Sequence, residues 1–282
     1  MSVHRVLSRR ATATALLAAG TAACLLFPTT ATAGTAPSGA ASAEPAAYTL
    51  PPAGAGVDYQ IGGVYTPPAG VKVVSRDHTA SPAPGVYNIC YVNAFQAQPG
   101  AEGDWDADLL LRDAGGKVVY DGAWGEAVLD IRTADKRQRI AAKVGGWING
   151  CADKGFKAVE PDNYDTFTRF SEYLTANQAK AFISLLADRS HSRGLAIAQK
   201  NTSELASSGK ESGLDFAVAE ECGTWEECDS YTAEYGNNVI VIEYSAGGLS
   251  KACASWGDSL SIVRRDVEVK PQGASGYLRQ TC

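Results

Sequence analysis

The sequence predicts a single α/β domain folded as a (β/α)8 (TIM) barrel. Three observations predict it: eight short apolar, β-branched runs, longer helical patterns between them, and polar side chains collected where the runs end. The runs are 57–63, 71–77, 86–94, 156–161, 195–200, 215–220, 238–244 and 260–265. Strands alternating with helices call for a parallel sheet with crossovers, and eight of them within about 230 residues fit a closed barrel better than an open sheet.

Ahead of the barrel lie two segments of different character. Residues 1–33 carry Arg5, Arg9 and Arg10, an Ala/Leu-rich stretch from Ala11 to Phe27, and small residues at Ala31-Thr32-Ala33, the pattern of an export signal. Ser8-Arg9-Arg10 also permits twin-arginine export, although the apolar residues that usually follow the pair are missing, and Thr21 to Cys24 is a poor lipoprotein box. Residues 34–55 are mostly Ala, Pro, Gly and Ser, which bury little apolar surface and predict a flexible leader. The barrel domain then occupies 56–282.

Along the barrel, the first two runs lie so close together that any helix between them is short or missing. After the third run, Ile140, Val144, Trp147, Ile148 and Cys151 recur at helical spacing and stop at Gly155. After the fourth, Thr175 with Gln178 forms a capping-box pattern before Phe182, Ile183 and Leu186, and Gly194 suits the left-handed residue that closes the helix. Thr224 with Glu227 repeats the capping pattern after the sixth run.

Removing residues 1–33 takes three of the 25 basic side chains and none of the 31 acidic ones, so the formal charge moves from −6 to −9. That balance disfavours nucleic acid, which demands a basic stripe, and it favours a cationic ligand. No apolar run after residue 33 is long enough to span a membrane. Six cysteines remain after Cys24: Cys90, Cys151, Cys222, Cys228, Cys253 and Cys282. Six cysteines in an exported chain suggest three disulfides among fifteen connectivities. Cys222 and Cys228 are near enough to pair locally; Cys90 with Cys151 and Cys253 with Cys282 is the arrangement we take for the others, with connectivity left open. No C-x-x-C pair is present and only His78 and His191 could assist, so no metal is expected.

Barrel geometry puts chemistry at the C-terminal ends of strands. In this sequence those ends read Tyr59-Gln60, Arg76-Asp77, Tyr91-Val92-Asn93, Glu160-Pro161-Asp162-Asn163, Lys200-Asn201, Glu220-Glu221 and Glu243-Tyr244. Glu160 and Asp162 are two apart and point the same way, whereas only one of Glu220 and Glu221 can face the barrel mouth. One acid from the fourth run and one from the sixth could flank a scissile glycosidic bond, with Tyr59, Tyr91, Trp124 and Tyr244 supplying stacking faces. The same equipment suits a barrel that binds polysaccharide without cutting it. Gly257-Asp258-Ser259-Leu260 spells a lipase-type nucleophile block, but no histidine follows it, and it reads as a helix terminus. No nucleophile elbow or phosphate-binding loop is present.

Several blocks, in order, resemble one family: Tyr59-Gln60-Ile61-Gly62, Cys90-Tyr91-Val92, Trp124-Gly125-Glu126 with Leu129-Asp130-Ile131, Gly155-Phe156 leading to Val159-Glu160-Pro161-Asp162-Asn163, Lys200-Asn201, and Glu220-Glu221-Cys222 with Cys228. From about Asp58 to Tyr244 the chain is similar to glycoside hydrolase family 114, the endo-α-1,4-polygalactosaminidases. The resemblance implies a TIM barrel that hydrolyses α-1,4-linked galactosamine polymers as a secreted monomer without cofactor. It carries the catalytic pair onto Asp162, as nucleophile, and Glu220, as general acid/base, with Glu160, Glu221 and Glu243 in reserve. Asp77, Asn163, Lys200 and Asn201 would line the pocket. Val128, where the family commonly has tryptophan, and Phe95-Gln96, often glycine and serine, depart from the pattern.

Overall fold

The computed structural model describes residues 47–282; the expected export signal and residues 34–46 of the leader lie outside them. Eight parallel strands follow one another: β1 (Gly56–Gln60), β2 (Val71–Asp77), β3 (Tyr87–Asn93), β4 (Ala158–Asp162), β5 (Ala196–Lys200), β6 (Phe216–Glu220), β7 (Val239–Glu243) and β8 (Ser261–Arg265). Each pairs with the next, and β1 returns to within 8 Å of β8 between Cα atoms. All eight apolar runs are strands. The first ends at Gln60, where the chain turns and Gly63 N donates to the Gln60 carbonyl.

Strict alternation divides the strands between two cores. Tyr59, Val73, Ile89, Ala158, Ala196, Ala198, Phe216, Val218, Ile240, Ile242 and Val263 form one apolar cluster inside the barrel. Their neighbours Cys90, Val92, Val159, Ile197, Ala217, Ala219, Val239, Val241 and Ile262 join the helices in the outer cluster. Two faces buried at once are what a parallel sheet covered by helices requires. Near the C-terminal ends the inward positions turn polar, and the site is built there.

The helices are α1 (Ala134–Lys154), α2 (Thr166–Arg169), α3 (Ala176–Ser192), α4 (Cys222–Trp225), α5 (Cys228–Tyr235) and α6 (Ala246–Trp256). Ile140, Val144, Ile148 and Cys151 are the buried stripe of α1, and Gly155 closes it at φ 93°. Both arms of the Thr175/Gln178 capping box are present, and Gly194 takes φ 68°. The second capping box does not form. Thr224 lies inside α4 and its hydroxyl donates to Glu243, while Glu227 accepts from Ser203. Left-handed Glu221 and Glu226, together with the Cys222–Cys228 disulfide, break this stretch into two short helices. No helix covers β1–β2 or β2–β3, and β5 is followed only by 3-10 turns. Gly257 follows the last turn of α6.

Between β3 and α1 the chain builds a small antiparallel sheet from Gln96–Ala97, Glu126–Val128 and Tyr120–Asp121. Before β1, Tyr48 donates to Asp215 at 2.6 Å and stacks on His191.

The seam between β1 and β8 is bridged by side chains. A final strand, Arg279–Gln280, pairs antiparallel with β8. From it Arg279 donates to the Val57 carbonyl at 2.9 Å and lies 3.2 Å from buried Asp58. Disulfides join Cys90 to Cys151, Cys222 to Cys228, and Cys253 to Cys282. The last ties the seam strand to α6 across 29 residues. Serine at both Cys253 and Cys282 is expected to lower unfolding stability by about 3.5 kcal/mol, the chain-entropy value for a loop of that length. Urea titration of the double variant checks this, and no change would show that the seam strand holds without its tether.

Candidate active site

Three neighbouring strands end alike. Asn163, Asn201 and Glu221, each the first residue past β4, β5 or β6, adopt left-handed φ of 65°, 53° and 59°. Asparagine tolerates that region; glutamate enters it at a cost, which marks the turn after β6 as held by its surroundings. These turns leave Asp162, Lys200 and Glu220 as the last strand residues, converging from adjacent strands.

Lys200 is the hub. Its Nζ lies 3.0 Å from Glu160 Oε1, 3.1 Å from Asp162 Oδ1 and 3.5 Å from Glu220 Oε2, and it donates to the Tyr59 hydroxyl at 2.9 Å. Glu160 is wholly buried and also accepts from Tyr59 and Ser75, both at 2.6 Å. Asp162 accepts from the Tyr91 hydroxyl at 2.6 Å. Glu220 accepts from the Tyr244 hydroxyl and from Asn201 Nδ2 at 3.0 Å, while its backbone N–H donates to Asn201 Oδ1 at 2.8 Å. Sharing one ammonium keeps the facing oxygens of Asp162 and Glu220 no more than about 7 Å apart.

Burial alone would raise the Asp162 carboxyl, but the Lys200 charge and hydrogen bonds from Tyr91, the Asn163 backbone and Lys200 outweigh it and hold the group below the usual carboxylate range. Burial likewise works against charge on Lys200, yet Asp162 and Glu220 foremost push its pKa well above normal. Tyr59, Tyr91 and Tyr244 are raised by burial and by the acids beside them, so each stays a protonated donor.

Asp162 and Glu220 both open into a cavity of about 850 Å³. Asp77, Tyr91, Trp124, Asn163, Asn201 and Tyr244 line it too. Tyr59, Glu160 and Lys200 form the floor beneath the pair. Gln60 binds Asp58 and Arg76 instead. Glu243 is buried against the start of α4, accepting from Gly223 N–H at 2.7 Å and the Thr224 hydroxyl. Glu221 is absent from the cavity wall. Among the described residues no three His, Cys, Asp or Glu side chains are grouped to hold a metal ion.

Sequence reasoning missed one wall. Glu126 and Gln96, from the small antiparallel sheet, line the cavity with Asn93, Asp165 and Arg169. Their signal was the Trp124-Gly125-Glu126 turn, where Gly125 takes φ 69°. A further stretch of wall is aromatic, with His78 stacked on Trp147 at 5.1 Å and Trp105 against the Trp147 edge.

A family model, glycoside-hydrolase family GH114, matches residues 37–282. The chain belongs to glycoside-hydrolase family GH114. It is therefore a glycosidase. Its fold is similar to that of Aspergillus fumigatus Ega3 in complex with galactosamine, at 22% identity and a TM-score of 0.67 over 83% of this chain and 99% of that one. It is also similar to the glycoside hydrolase domain of PelA from Pseudomonas aeruginosa, at 14% identity and a TM-score of 0.53 over 78% and 98% of the two chains. No curated protein matches by sequence. Two of the GH114 chain's departures from the family pattern fall in its core: Val128 is fully buried, and Phe95 packs on Tyr164 and Phe182. Gln96 alone brings that departure to the cavity.

Proposed function

We propose that this GH114 enzyme is an exported monomer that cleaves α-1,4-linked galactosamine polymers with two carboxylates and no cofactor, Asp162 as nucleophile and Glu220 as general acid/base. The observation that carries the reading is the shared Lys200: it gathers acids from β4 and β6 onto one side of one cavity. The three disulfides fit export, and galactosamine is the sugar in the Ega3 complex.

Glu220 protonates the glycosidic oxygen as the bond breaks, and Asp162 bonds to the anomeric carbon. Glu220, now ionised, takes a proton from water, whose oxygen displaces Asp162 and regenerates both acids. Retaining pairs stand roughly 5–5.5 Å apart and inverting pairs roughly 6.5–9.5 Å; with Asp162 as nucleophile, the reading predicts retention. Lys200 keeps Asp162 ionised for attack and Tyr91 holds its second oxygen. Tyr244 and Asn201 fix the Glu220 carboxyl at the leaving oxygen. The net acidic charge draws in a polymer bearing ammonium groups.

Incubating the enzyme with de-N-acetylated α-1,4-galactosamine polymer is expected to release a ladder of galactosamine oligomers by mass spectrometry, with the α anomer forming first by NMR. Anionic α-1,4-galacturonan serves as control and should stay intact. An uncut cationic polymer would end the reading.

A further inference from the structure

Glu126 stands apart from the other acids of the cavity. It is 8% exposed and lines the cavity, yet among the described residues no Lys, Arg or His nitrogen lies within ion-pair distance of it. Its hydrogen bond is to a neutral donor, Asn163 Nδ2 at 3.3 Å. The nearby cation is committed elsewhere: Arg169 pairs with Asp121 at 2.5 Å and Asp165 at 2.9 Å and donates to Asn163 Oδ1. Lys200 is held by the catalytic floor. Burial, with Asp162 and Asp121 nearby, pushes the Glu126 carboxyl up against the pull of the Asn93 and Asn163 amides. A buried carboxylate without a counter-ion is costly and calls for a cation from outside.

The same wall holds a second acceptor without a donor. Gln96 is buried, its Nε2 is held by Asp121, and its Oε1 has no partner. Two acceptors suit a group that only donates, such as an ammonium. That is the pattern of an amino sugar with a free amine.

Resting on the galactosamine reading above, we propose that Glu126 is the specificity residue for the sugar nitrogen: its carboxylate, with Gln96 Oε1 in the same wall, receives the free ammonium of the ring bound at Asp162. An N-acetyl group brings no charge and adds bulk there, so the enzyme cuts where the ring at Asp162 is de-N-acetylated. Losing one charge-assisted hydrogen bond corresponds to about 10- to 100-fold in preference.

The test uses a randomly, partly N-acetylated α-1,4-galactosamine polymer and sequences the new reducing ends by mass spectrometry. Wild-type enzyme should leave free-amine ends in large excess over their share in the polymer. Glu126→Gln should leave both kinds within about threefold of that share, while Glu126→Asp, which keeps the charge, should retain the preference at lower turnover. The glutamine variant should melt no lower than wild type, because it removes an uncompensated buried charge. Wild-type ends that mirror polymer composition, or a Glu126→Gln enzyme that keeps the wild-type excess, would overturn the role of Glu126 while leaving the galactosamine reading intact. A Glu126→Gln enzyme that melts lower and loses rate equally at both kinds of ring would mark the residue as structural and overturn it too. Failure of the wild type to cut the polymer at all would sink the substrate reading, and this proposal with it.

Discussion

Asparagine at 162 or glutamine at 220 is expected to lower kcat about 10³-fold or more while the melting temperature stays within a few degrees of wild type. Both changes keep the side chain's shape, and Lys200 retains two of its three acidic partners in each variant. The roles separate by rescue. Azide added to Asp162→Ala should enter from the face the carboxylate vacates and yield a glycosyl azide of inverted configuration. In Glu220→Ala it should attack the glycosyl-enzyme and yield the retained one. Activity within tenfold of wild type in either amide variant would remove that residue from the mechanism.

The barrel was legible because period-2 patterning acts through a simple force. Val, Ile and Ala at alternate positions bury both faces of β4 to β7, and no tertiary accident can move them without exposing a whole face. The pairing of Asp162 with an acid of β6 was legible for the same reason. Which of Glu220 and Glu221 faces the cavity depended on the left-handed backbone at Glu221, a conformation that no propensity assigns to glutamate. The failed capping box at Thr224 shows local signals losing to tertiary ones: a disulfide and a buried carboxylate claimed the residues first. The wall bearing Glu126 and Gln96 escaped because it belongs to a small sheet outside the barrel rhythm, with strands of two or three residues. Lys200 was placed at the pocket, but its place beneath three acids is a property of three strands together and of no single motif.

Methionine at Lys200 should destabilise the fold and silence the enzyme together. The substitution keeps length and apolar stem but removes the cation shared by Glu160, Asp162 and Glu220. Glu160 has no solvent to turn to, and breaking a buried ion cluster from one side typically costs about 3–5 kcal/mol. Without the ammonium, the Asp162 carboxyl loses the largest influence holding it low and rises as burial dictates, so the proposed nucleophile stays protonated to higher pH than in wild type. The pH dependence carries the sign. Lys200 has a folded pKa above its unfolded one, so its contribution is full below about pH 10 and is lost as pH rises through the folded value. Asp162 has a folded pKa below its unfolded one, so its contribution is present above about pH 4 and is lost as pH falls through the folded value. The stability gap between wild type and Lys200→Met should therefore be widest between about pH 7 and 9. It should narrow in acid, where the stranded Asp162 carboxylate of the variant becomes neutral. Urea unfolding at pH 7 and pH 3 measures it. A gap under about 1 kcal/mol at pH 7, or one that does not shrink in acid, would show that the acids are held by their hydroxyl donors, Tyr59, Ser75, Tyr91 and Tyr244, and that the lysine is incidental to them.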